Sequence, residues 1–147
     1  EIAERVEKKL VARVPEIKLI GQQTIEEWMD THDWNQIDYR ELGQGIATDL
    51  LVTIDLDSFS LYEGQTLFKG RANVGLTVYD IPKGEIVYEV DSSEVTFPMN
   101  GGQHTADTSE REFRRRFLEV ISSAVAKHFY SYDAKEDYGR DPTLVAN

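Results

Sequence analysis

Between Leu50 and Phe97 apolar residues recur at every second position, whereas on either side of that stretch they recur every three or four. The change of period predicts helices flanking a sheet. In "EIAERVEKKLVARVPEI", Ile2, Val6, Leu10, Val11 and Val14 fall at helical spacing, and Pro15 ends the helix after three to four turns. "IKLIG" then predicts a short buried strand at 17 to 20, closed by Gly21. "TIEEWMDTH" predicts a helix with Thr24 as N-cap and Glu27 completing a capping box, burying Ile25, Trp28 and Met29. A further short helix is expected over residues 36 to 46, where Ile37, Leu42 and Ile46 share a face despite Gly43 and Gly45.

Turn signals at "YEGQ" (62 to 65) and "IPKGE" (81 to 85) cut the alternating stretch into an antiparallel three-strand meander. In the first strand Val52, Ile54 and Leu56 share one face, and Thr53, Asp55 and Asp57 the other. Beyond Ser58 the apolar phase moves to Phe59 and Leu61, which predicts a bulge near Asp57 and Ser58. The second strand directs Phe68, Ala72, Val74, Leu76 and Val78 inward, with Lys69, Arg71, Asn73 and Thr77 outward. The third offers Ile86, Tyr88 and Val90, then Val95 and Phe97 after a phase shift across "DSSE".

"PMNGGQHTADT" (98 to 108) reads as a flexible loop, and Ser109 with Glu112 forms a second capping box. The helix that follows, to about Tyr130, carries an apolar stripe of Phe113, Phe117, Ile121, Ala124 and Val125 that should lie on the sheet, with Arg114, Arg115 and Glu119 wet. The expected fold is therefore α/β of the α+β kind: a mixed sheet containing the meander, packed by an N-terminal helix and a long C-terminal helix. Residues 1 to 132 form one domain in this reading, and 133 to 147 a polar tail without periodicity.

Composition narrows the roles open to such a domain. The 16 basic and 27 acidic residues give a net charge of -11, a field that repels phosphate backbones and anionic lipid. The one basic cluster, "REFRRRFL", is interrupted by acids, so no nucleic-acid partner is expected. The chain has no cysteine, which removes disulfides, thiol catalysis and thiolate metal sites. No apolar run is long enough to span a membrane, and the charged N-terminus is not a signal peptide.

Asp55 and Asp57 are the most suggestive polar pair. Alternation sets them on one face about 7 Å apart, close enough for a metal or for acid and base work. However, no calcium-loop pattern follows them, and Lys69 and Arg71 on the next strand would satisfy both as cross-strand pairs. His32, His104 and His128 include no pair at zinc spacing, and His128 suits a cation at a helix C-terminus. Neither a serine elbow nor a phosphate loop is present, since Ser122 and Ser123 are helical and "GQGIATD" lacks the required spacing. Trp28 and Trp34 flank an acidic turn, and core packing is their ordinary use.

No catalytic, cofactor or metal residue is therefore assigned, and the domain is not expected to be an enzyme. The residues open to a partner are Asp55, Asp57 and Trp34. The rival expectation is a small-ligand sensor or enzyme whose carboxylate-lined pocket uses Asp55, Asp57 or His104.

The order helix, short strand, tryptophan-bearing helix, "LGQGIATDLLVTIDL", a meander ending "YDIPKGEIVYEV" and a closing helix resembles a group of envelope lipoprotein domains. These are the domains related to CsgG, LpoB and the amino-terminal domain of TolB. Thr48 and Asp49 match their step into a strand, and Asp80, Gly84 and Ile86 match a later turn. The resemblance covers residues 1 to about 130 and carries no catalytic residues. It implies a bacterial envelope protein on the periplasmic side, tethered by a lipid in its precursor, which binds protein partners in assembly, secretion or cell-wall machinery. Such domains usually begin with a strand, so the resemblance also implies a fold that is truncated here or completed by another chain, self-association included.

Overall fold

The computed structural model describes residues 1–14, 19–32 and 38–129. Its elements are α1 (Ile2–Arg13), α2 (Gln22–Asp30), α3 (Tyr39–Gly45), β1 (Leu50–Glu63), β2 (Leu67–Asp80), β3 (Glu85–Phe97), β4 (Gln103–His104) and α4 (Glu110–Ala126). The three long strands form the expected meander in the order β1-β2-β3, with β4 added beside the start of β2. Every pairing among the described residues is antiparallel. Leu19 and Ile20 belong to no strand, so the strand expected at 17 to 20 is not seen there, and residues 17 and 18 lie outside the described residues.

The core forms where α4 crosses the sheet. Phe113, Phe117 and Ile121 are fully buried, and Val125 nearly so, while Ala124 packs at the margin. The ring of Phe113 stacks on Phe68 at 4.9 Å and meets Phe97 at 5.5 Å, and Phe117 stacks on Phe59 at 5.4 Å. Offset aromatic pairs of this kind add to the area that they bury. Ser109 caps the helix as expected, accepting from the Glu112 N–H at 3.1 Å, but the Glu112 carboxylate turns to Arg115 instead of closing the box. α1 packs on α4 through Val6 and Leu10, and Val11 is left 56% exposed because its face looks away.

A second, smaller core joins α2 and α3 to the opposite end of the sheet through Leu42, Ile46, Leu51 and Ile81. Ile25, Trp28 and Met29 pack against it, as the helical spacing predicts. The N-cap of α2 is Gly21 and not Thr24, so Thr24 lies inside the helix, exposed. Gly43 and Gly45, unfavourable in a helix, are explained by contact: a methyl on either would collide with Ile81 or with the Trp28 indole.

Two residues of the sheet depart from alternation. Lys69 and Thr77, expected outside, are buried, because β4 and its loop cover Lys69 and neighbouring strands shield Thr77 on the central strand. Lys69 Nζ donates to the carbonyls of Pro98 at 2.5 Å and Gly101 at 2.7 Å, which ties down a loop expected to be flexible. Glu119, expected wet, is half-buried between Arg5 and Lys9 of α1, and its distance to Lys9 is 2.9 Å.

Candidate partner-binding edge

β1 is an outer strand of the sheet. From Leu50 to Leu56 it pairs residue for residue with Asp80 to Val74, an unbroken run of seven. The register then shifts between Leu56 and Ser58, where a bulge was expected, and again between Ser60 and Tyr62. Each shift adds twist and interrupts the row of backbone groups along the free side of the strand. Between residues 51 and 57 that free side meets no backbone donor or acceptor among the described residues.

Next to this edge runs an apolar row that the helices leave partly open. Leu50 is 54% exposed, Val52 37% and Leu56 43%, and Ile54 is half-buried. α4 covers β1 at Phe59 through Phe117, and among the described residues the row from Leu50 to Leu56 stays partly open. Ile2 and Ala3 of α1, with Leu118 of α4, form the inner wall of an open groove of about 480 Å³ over Ile54, Leu56 and Phe59.

Asp55 and Asp57 are both exposed, but the cross-strand pairs expected for them do not form. Asp55 stands opposite Gly75, and Asp57 is the extra residue at the bulge. The intended cations are used elsewhere, Lys69 by the loop carbonyls and Arg71 by Glu63 at 3.5 Å. The reason is the register: Lys69 and Arg71 pair with the far end of β1, and the bulge moves the carboxylates further from them. Trp34 lies outside the described residues.

The histidines do not converge on these carboxylates. His104 is opposite Leu67 and Asp55 opposite Gly75, eight residues apart on β2, or about 27 Å at the rise of an extended strand. His32 stacks on Trp28 at 3.7 Å, and His128 Nδ1 lies 3.1 Å from the Tyr88 hydroxyl just past the end of α4. Among the described residues no group of three or more His, Asp or Glu side chains is arranged to hold a metal. Within them no helix is long and apolar enough to cross a membrane.

The outer edge of β3 differs from that of β1. Its register shifts twice, between Val74 and Leu76 and between Val78 and Tyr79 on β2, so its regular runs are shorter. Ile86 and Tyr88 are 50% and 43% exposed; the register shift sets Tyr88 opposite Val78 and Ile86 opposite Tyr79, so the two do not share a face, and the Tyr88 ring meets His128 just past the end of α4. Close by, Tyr39 stacks on Tyr79 at 5.1 Å. Burial, then the charges of Tyr39, Asp55 and Glu89, hold the Tyr79 phenol above its ordinary value. A phenol held neutral in this way is a hydrogen-bonding group without charge, not a base.

Sequence reasoning named Asp55 and Asp57 but missed the apolar row beside them. Alternation gives the row its common face, yet only the path of α4 decides which part of that face is covered. No protein-family model and no curated protein matches the sequence. Among solved structures, the chain is similar to the hypothetical protein CT253 from Chlamydia trachomatis, with 12% identity over 86% of this chain and 81% of that one, at a TM-score of 0.43.

Proposed function

We propose that this chain is a non-catalytic accessory domain of the bacterial cell envelope that binds protein partners on the periplasmic side. Its work lies in assembly, secretion or cell-wall machinery, and a membrane is reached only through a lipid carried elsewhere in the precursor. The observation that supports partner binding is the β1 edge: a regular strand run whose outer backbone side is unpaired among the described residues, beside a partly open apolar row. An edge of this kind is a template for pairing, and natural proteins usually cover or interrupt it. The envelope setting rests on the resemblance carried by the "LGQGIATDLLVTIDL" and "YDIPKGEIVYEV" segments. The sensor or enzyme reading has less support, since Asp55 and His104 share no cavity.

The test is capture from a bacterial envelope extract with the domain as bait, followed by calorimetry with each captured protein purified. Saturable binding by an envelope protein supports the proposal. A captured set indistinguishable from that of an unrelated domain of equal net charge overturns it.

A further inference from the structure

We infer that the β1 edge takes an extended segment of a partner as an added strand, one that alternates apolar and basic side chains over about seven residues. The inference rests on the partner-binding reading above and specifies the ligand for that site. Length follows from register, because the regular run stops at the bulge after Leu56. A strand added there gains backbone hydrogen bonds along the run, and its side chains alternate between the two faces of the sheet.

On one face, alternate residues of the segment would lie against Val52, Ile54 and Leu56 and reach the groove walled by Ile2, Ala3 and Leu118. That face calls for apolar side chains. On the other face the added residues meet Leu51, Thr53 and Asp55 within the run, with Asp57 just beyond it at the bulge; the two carboxylates are exposed and without an ion-pair partner among the described residues. Opposite charges directly across a strand pair are favourable and like charges are not, so those positions call for lysine or arginine.

The same carboxylates argue against a second copy as the occupant. Two β1 edges paired antiparallel about a two-fold axis at Thr53, the middle of the run, would set Asp55 against Leu51 and Asp57 against Asp49 of the other copy, so neither carboxylate would gain a cation. The β3 edge is the weaker template, since two register shifts break it and Glu85, Glu89, Asp91 and Glu94 line it.

Three fluorescein-labelled nonapeptides test the inference on the whole chain: alternating valine and lysine, alternating valine and glutamate, and the first composition with its valines contiguous. Anisotropy gives affinity and amide hydrogen exchange gives location. The alternating valine-lysine peptide should bind roughly tenfold more tightly than the glutamate peptide, because the residue across from Asp55, with Asp57 close by, changes from opposite to like charge. It should also bind more tightly than the contiguous peptide, and it should slow exchange within residues 50 to 57.

Asp55→Asn with Asp57→Asn should close most of the gap between the lysine and glutamate peptides. Leu56→Asp, at an exposed position where folding is checked by the thermal melt, should weaken the lysine peptide sharply. Equal affinity for all three peptides, absence of binding, or protection only outside β1 would overturn the inference. So would dimerisation of the domain through β1 without peptide. An envelope partner whose capture survives both sets of substitutions would remove this edge while leaving the proposed function in place.

Discussion

Gly70 of β2 is the point at which the ring of Phe117 in α4 meets the sheet: a Cβ added to the glycine would stand 2.6 Å from Phe117 Cγ. Phe117 is fully buried, so the absence of a side chain at residue 70 is what lets the helix lie close to the strand.

Phe117→Ala should therefore destabilise the domain by about 3 to 5 kcal/mol, the loss of a buried phenylalanine plus its cavity. Gly70→Ala should cost about 1 to 3 kcal/mol by overpacking. The two should couple, with Gly70→Ala much milder in the Phe117→Ala background, as a double-mutant cycle of chemical melts would show. Arg115→Ala, at an exposed site paired with Glu112, should change little. Melts in which Phe117→Ala and Arg115→Ala were equally mild would mean that α4 is not core.

Gly45→Ala separates helix propensity from packing. Alanine favours a helix by about 1 kcal/mol over glycine, which alone would stabilise α3. Contact with the Trp28 indole opposes this, because the new methyl would displace the ring from the smaller core. The expected outcome is a lower Tm with a change in tryptophan fluorescence. A higher Tm would show that Trp28 moves aside freely.

Lys69→Met keeps much of the side chain's bulk but withdraws the donor from two carbonyls. Hydrogen bonds from a charged donor contribute about 1.5 to 3 kcal/mol, so stability should fall by an amount of that order. The loop at Pro98 to Gly101 should also exchange its amides faster and be cleaved sooner by protease. Unchanged exchange there would show that other contacts hold the loop.

Partial burial by itself would raise the Glu119 carboxyl, but hydrogen bonds from Lys9 and Arg5, with their charges, outweigh it and set the carboxyl below its ordinary 4.5. A carboxylate whose folded value is lowered adds stability that is complete above its unfolded value and is lost as pH falls through the folded one. The wild type should thus melt above Glu119→Gln at pH 7, and the gap should shrink as pH drops below about 4.5. The side chain is 40% exposed, so the gap should also narrow in high salt. A gap independent of pH would mean that Glu119 acts through packing and not through its charge.

Sequence by itself determined the secondary structure of the meander and of α4. Period-two alternation, the turns before Leu67 and Glu85, and the Ser109 cap are local signals, and each has a local cause in pleat, turn geometry or an unpaired N–H. Even the bulge after Leu56 was legible, because a one-residue insertion reverses the apolar phase at Phe59. The same holds for Phe113, Phe117 and Ile121, whose spacing sets them on one stripe.

Tertiary structure decided which polar groups meet and which apolar ones stay open. Lys69 is buried because β4 and its loop fold over it, and Glu119 finds Arg5 at a separation of 114 residues. Asp55 and Asp57 lack their expected partners because register, which depends on both strands, carries Lys69 and Arg71 to the other end of β1. The row from Leu50 to Leu56 is open for a related reason. Alternation fixes the face a side chain points to, but coverage depends on where a helix far along the chain crosses the sheet: Phe117 of α4 covers Phe59, while Leu50, Val52 and Leu56 stay exposed.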